Sequence, residues 1–233
     1  MTYFYTILFS LGKPQENWYF CMMLLLYKSL LRTESLGPDD RFFVVADKAT
    51  IEYGKSFVSL ARVNWIEVPA PKTVKDGMLL KYMFRPKVDV VVVYLDCDFL
   101  AKRKITIDIP ADTIALLPEG RPDDSNYCGD FTLDAPTGVS AGMFAFRYGP
   151  RCRAVLDEVA KRVMNCSKGY YTLDQPHFNA VVAASEAKKY LPASIVSFNG
   201  HGNVAEAYLI NCAGCPGDGD FHWKKMIDFF ILL

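Results

Sequence analysis

Apolar residues gather along the chain in short, unbroken runs separated by longer mixed segments. The runs at 3–9, 42–46 and 88–95 read as buried strands, rich in aromatic and β-branched residues. The last is the strongest, with four consecutive valines (Val90 to Val93) in an apolar run that suits a central strand covered on both faces. Shorter strands are expected at 64–68, 139–147, 195–198 and 207–210. Segments 17–32, 74–84, 150–165 and 174–189 read as helices. Asn17 is a candidate N-cap for the first, Pro150 opens the third, and Val155 and Val159 mark its inner face. Residues 117–130, rich in Pro, Gly and Asp, read as loop.

Strands alternating with helices through the first hundred residues predict an α/β fold with a mixed, mostly parallel sheet flanked by helices. At 233 residues the chain suits one large domain, 1–233. Two parts are expected within it, at about 1–100 and about 101–233. In such sheets ligands bind beyond the carboxyl ends of the strands.

Composition narrows the classes. Lys plus Arg equals Asp plus Glu, 26 each, which argues against broad nucleic-acid binding. The seven cysteines are odd in number and irregularly spaced, as expected for reduced thiols in the cytoplasm rather than for a disulfide framework. Cys212 and Cys215 form the one C-x-x-C, with no second pair to complete a zinc site. No apolar run is long enough to span a bilayer. The apolar stretch 226–233 is expected to pack on the domain, to touch a membrane surface peripherally, or to continue into a removed segment.

The chemistry concentrates at Asp96-Cys97-Asp98, which follows the valine run directly. Two carboxylates two residues apart beyond a buried strand suit a divalent cation with oxygen ligands, Mn²⁺ or Mg²⁺. A cation there would stabilise charge growing on a departing diphosphate.

With three further segments this turn carries a resemblance. Ser140-Ala-Gly142, Asp174-Gln175 with Asn179, and Asn211-Cys-Ala-Gly214 follow it in order, and the whole resembles the GT-A (Rossmann-like) glycosyltransferases. The closest likeness is to family 8, the glycogenin and bacterial galactosyltransferase group. The compact form is also similar to glycosyltransferases of large algal viruses, which would place the protein in the host cytoplasm. The resemblance implies a UDP-sugar donor bound by about 1–100, a glycan or glycoprotein acceptor on the side of about 101–233, and retention of anomeric configuration.

By that resemblance Asp98 binds the metal and Asp96 the metal or the ribose. Asn211 takes the position of the family's histidine ligand, a departure that leaves His201 or His222 as substitutes. Asp174 and Gln175 lie beside the donor sugar, with Asp174 also a helix cap. Lys81 lies over the donor, and Ser140 and Gly142 face the sugar and acceptor. Gly214 and Lys224 cover the diphosphate, with Lys225 beside them. The nucleoside is expected near Phe9, Ser10 and Asp47, with Trp18 or Tyr19 stacking on the base or packing in the core.

Other readings stay open. A haloacid dehalogenase-type phosphatase also uses D-x-D, and Gly129-Asp130 with Asp134 matches its later motif. A sugar-1-phosphate nucleotidyltransferase would need a glycine- and arginine-containing loop that Leu11 to Pro14 does not supply. A non-catalytic sugar-nucleotide or glycan-binding module remains, given Asn211. An inverting enzyme would need a carboxylate base, for which Asp130 and Asp134 are candidates.

Overall fold

The computed structural model describes residues 1–10, 14–118, 138–166, 174–198, 204–212 and 226–231. Its chain contacts cluster into two compact units. The first comprises Met1–Pro71, Leu95–Thr106 and Ser194–Leu233, and the second Lys72–Tyr94 and Ile107–Ala193.

The first unit opens with β1 (Thr2–Leu8), α1 (Trp18–Arg32), β2 (Arg41–Asp47), α2 (Lys48–Lys55) and β3 (Val63–Val68). β1, β2 and β3 run parallel, with Tyr5 opposite Phe43 and Val44 opposite Trp65. Asn17 caps α1 as its sequence position suggests, its side chain accepting the Tyr19 N–H at 3.0 Å. Phe20, Met23, Tyr27 and Leu30 are spaced three and four apart and buried, so one stripe of α1 forms core. This unit also holds β5 (Phe99–Ala101), β9 (Val196–Phe198) and β10 (Leu209–Asn211), which form a small sheet in the order β5-β10-β9.

The second unit contains α3 (Val74–Leu79), a 3₁₀ turn at Leu80–Tyr82, β6 (Thr113–Pro118), β7 (Val139–Arg147), α4 (Pro150–Asn165), α5 (Asp174–Ala183) and β8 (Lys188–Tyr190). β4 (Val91–Leu95) ends where the first unit resumes. β6 lies antiparallel to β7 and parallel to β8. The strands of the larger sheet follow the order β3-β2-β1-β4-β7-β6-β8, mixed and mostly parallel, with the valine strand β4 in the middle. Val92 to Leu95 are fully buried there, which is why that run carries no polar alternation.

Two expected helices are shorter than their patterns. α3 stops at Leu79 and tightens into the 3₁₀ turn, which buries Leu80, Lys81 and Tyr82 in succession. α5 stops at Ala183, because 188–190 is drawn into pairing with β6. In the described part of the apolar C-terminal stretch Met226 is fully buried, and the Arg32 guanidinium lies 4.3 Å above the Phe230 ring. Among the described residues no helix is long and apolar enough to cross a membrane.

Candidate functional site

The turn after β4 is built around Cys97. Its thiol points back into the first unit, donating to the Ile7 carbonyl at 3.2 Å and lying 3.3 Å from Thr6 Oγ1. Burying the middle residue leaves Asp96 and Asp98 half-exposed on either side. The Phe99 N–H closes the turn on the Asp96 carbonyl at 3.2 Å. Beyond it, β5 is fastened to α1, where Ser29 Oγ accepts the Ala101 N–H at 2.8 Å. Those contacts fix both ends of the turn, so the i, i+2 spacing of the carboxylates follows from one inward-facing residue between them.

The small sheet brings Asn211 to this turn. Antiparallel pairing sets Asn211 opposite Phe99, and the Cys212 N–H donates to the Asp98 carbonyl at 2.9 Å. The Asn211 amide then donates from Nδ2 to Asp98 Oδ1 at 3.1 Å. Asp96, Asp98 and the amide carbonyl of Asn211 form an oxygen-only donor set, which fits Mg²⁺ or Mn²⁺ and does not suit zinc. Among the described residues no group of three His, Cys, Asp or Glu side chains forms a metal cluster.

The expected nucleoside edge is also in the first unit. Asp47 ends β2 and caps α2. Its Oδ1 accepts the Thr50 N–H at 3.0 Å, and its Oδ2 accepts the Thr50 hydroxyl at 2.8 Å and the Ser10 N–H at 3.4 Å. Phe9 is held through its carbonyl, which accepts from Asn17 Nδ2 at 3.0 Å. An open hollow of ≈ 590 Å³ lies at the carboxyl ends of β2 and β3, lined by Asp47, Lys48, Glu52, Glu67 and Val68 among others. Trp18 and Tyr19 are exposed rather than core residues, at 43% and 62%.

The second unit gathers the remaining residues around α5. Lys81 is not a surface lysine: it is 3% exposed and pairs with Asp174 at 3.0 Å, its ammonium 5.5 Å from the Tyr94 ring centre. Asp174, the first residue of α5, is also 3% exposed and accepts from the Tyr82 hydroxyl at 2.9 Å. Tyr82 gave no sign of this role in the sequence beyond its position next to Lys81. Gln175 Oε1 accepts the Ala141 N–H at 3.2 Å. Asn179 takes the Val139 N–H at 2.7 Å and returns a bond to the Val139 carbonyl at 2.8 Å. The D-Q-x-x-x-N segment thus works as a clamp on the first half of β7. Ser140 is buried on that strand, its Oγ accepting the Gly142 N–H at 3.1 Å.

The expectations for Gly214, Lys224, Lys225, His201, His222, Cys215, Asp130 and Asp134 fall outside the described residues.

Solved structures share this architecture. The galactosyltransferase LgtC, in complex with donor and acceptor sugar analogs, superposes with a TM-score of 0.62 over 100% of this chain and 96% of its own, at 13% identity. The fold is that of the GT-A glycosyltransferases. An active-site mutant of LgtC gives 0.58 over 98% and 96% of the two chains, at 11% identity. Mouse xyloside xylosyltransferase 1, in its apo form, gives 0.59 over 92% and 98%, at 14% identity. No protein-family model and no curated protein matches the sequence.

Proposed function

We propose that the protein is a metal-dependent glycosyltransferase that moves a sugar from a UDP-sugar to a hydroxyl of a glycan or glycoprotein, with retention of configuration. The observation that carries this reading is the turn after β4. Two half-exposed carboxylates flank a buried cysteine there, and Asn211 is held on Asp98 at 3.1 Å. A glycosyltransferase fold around that turn supports the same reading.

Asp96 and Asp98, with the Asn211 amide, would hold Mg²⁺ or Mn²⁺, and that ion would offset the charge of a leaving diphosphate. Phe9, Ser10 and Asp47 are assigned to the nucleoside, Gly214 and Lys224 to the diphosphate. Asp174 accepts hydrogen bonds from sugar hydroxyls. Gln175, tied to Ala141 through its Oε1, offers its amide N–H groups as donors. Lys81 pairs with the Asp174 carboxylate and holds it in place. In a retaining transfer the leaving diphosphate oxygen takes the acceptor proton.

The test is calorimetric titration with UDP, with and without Mn²⁺, against GDP. UDP binding that requires Mn²⁺ and disappears in Asp98→Ala, with an unchanged melting temperature before metal is added, supports the reading. Metal-independent binding, or unaltered binding by the variant, rejects it. One observation favours a second reading: an amide at 211 is a weaker metal ligand than imidazole, as a non-catalytic sugar-nucleotide-binding module would tolerate. Slow hydrolysis of UDP-glucose or UDP-galactose in Mn²⁺ would exclude that module.

A further inference from the structure

A second open hollow lies at the amino ends of β2 and β3, the far end of those strands from the hollow lined by Asp47 and Glu67. Its volume is ≈ 280 Å³, and Leu36, Pro38, Asp40, Arg41, Arg62 and Asn64 are among its lining residues. All of them belong to the first unit. Arg41 opens β2, and Arg62 immediately precedes β3. Phe42 and Val63 pair in register, so one step earlier the two arginines stand side by side on neighbouring strands. Both are exposed.

What compensates their charge decides what the hollow can hold. Asp40, the acid in the lining, is turned to the backbone. Its Oδ1 accepts the Thr2 N–H at 2.6 Å, and its Oδ2 accepts the Gly37 N–H at 3.0 Å. Asp39 is exposed and is not part of the lining. Arg62 donates from Nη2 to the Gly37 carbonyl in a long bond of 3.4 Å. Among the described residues neither guanidinium forms an ion pair. Two guanidiniums side by side repel, and an anion between them relieves that repulsion. Each guanidinium presents a planar fork of N–H donors that fits an oxyanion bidentately. Two forks match the charge and the several oxygens of a dianion better than those of a monoanion.

We propose that this hollow is a binding site for a phosphate dianion, held between Arg41 and Arg62 at about 20 Å along β2 from Asp47. The phosphate is that of the free ion or of a small phosphate ester whose remainder stands in the open part of the hollow. The proposal does not depend on the transferase reading and stands or falls separately from it.

The test is calorimetric titration at pH 8, at constant ionic strength and without added metal. Inorganic phosphate and glucose 1-phosphate are titrated separately into wild type, Arg41→Gln, Arg62→Gln and Asp98→Ala. Thermal melts in chloride confirm that each is folded, as expected for substitution of two exposed side chains. The expected result is saturable binding at one site per chain. Each arginine variant should bind about tenfold more weakly, the worth of a hydrogen bond to a charged group. Asp98→Ala should bind as wild type does. Tighter binding of the ester assigns the site to a phosphorylated metabolite, and tighter binding of the free ion assigns it to phosphate itself. Acetate, a monoanion, should bind more weakly than phosphate by about tenfold or more. The proposal is overturned by absence of saturable phosphate binding, by undiminished binding in both arginine variants, or by acetate binding as tightly as phosphate. Loss of binding in Asp98→Ala also overturns it, because the ion would then sit at the carboxylate turn.

Discussion

At the scale of single residues, Asn211 bears directly on the carboxylate turn. Its amide donates to Asp98 at 3.1 Å and so relieves part of the cost of placing two carboxylates in one turn. Asn211→Asp would put a third carboxylate beside Asp98. Like charges about 4 Å apart repel by roughly 1 kcal/mol in water and up to about 4 kcal/mol in a partly shielded setting. The variant should therefore melt lower than wild type without metal and gain more from added Mn²⁺, which thermal scans across a Mn²⁺ series would show. Equal metal responses would place the cation elsewhere. The cysteines give a second residue-scale expectation. Burial pushes the Cys152 thiol up to about 12, and its neighbour Asp112 adds to the shift. Cys97 and Cys212 are buried as well, whereas Cys21 and Cys166 are half-exposed. Among these five, alkylation at pH 8 read by mass spectrometry should label Cys21 and Cys166 first. The carboxylate pair was legible in the sequence because an apolar strand delivers it. The inward turn of Cys97 was not, since its partners Thr6 and Ile7 lie about ninety positions away.

Among elements, the clamp of α5 on β7 is the feature most open to test. Asn179 satisfies the Val139 N–H and carbonyl and the Gln175 carbonyl, at 2.7, 2.8 and 2.9 Å. Truncation to alanine orphans buried backbone groups at roughly 1–3 kcal/mol each. Asn179→Ala should lower unfolding free energy by several kcal/mol in urea, and Asn179→Asp by at least as much, because it sets a buried carboxylate oxygen against the Val139 and Gln175 carbonyls. A second case sets two effects against each other at Gly54 in α2. Alanine gains about 1 kcal/mol of helix propensity over glycine. A Cβ there would stand 2.5 Å from the Trp65 ring on β3, and overpacking of that kind costs about 1–3 kcal/mol. The clash should win, so Gly54→Ala is expected to be less stable by denaturant melts; a more stable variant would show that Trp65 yields readily. The sequence made β1, β2, β4, α1 and α4 legible through apolar runs, an Asn cap and a first-turn proline. It hid α2, whose eight residues are mostly polar and depend on the Asp47 cap. The overlong expectation for α5 failed because sheet pairing at β8 overrode local helix preference, as tertiary context often does. Lys81 and Asp174 were legible as candidates but not as a pair, because ninety-odd residues separate them and only the 3₁₀ turn sends Lys81 inward.

On the scale of the whole molecule, the balance of charge constrains how the proposed anionic donor would be captured. Formal net charge is zero at pH 7 and the isoelectric point is ≈ 6.8. A molecule without net charge exerts little long-range pull on a polyanion, so recognition must come from local contacts. Many of the surface ion pairs are short-range and internally compensated, such as Arg85 with Asp157 and Arg162 with Glu158. They add little to a field that reaches into solvent. Bound Mn²⁺ would neutralise part of the diphosphate charge at close range, where added salt screens less than it does across a Debye length of about 8–10 Å. Binding of UDP at saturating Mn²⁺ should therefore weaken by no more than about threefold between 50 and 250 mM NaCl, far less than expected for a basic groove. A fall of tenfold or more, measured by the same titration across a salt series, would show that a concentrated basic surface captures the nucleotide. The carboxylate turn would then have to be read as a secondary feature of binding.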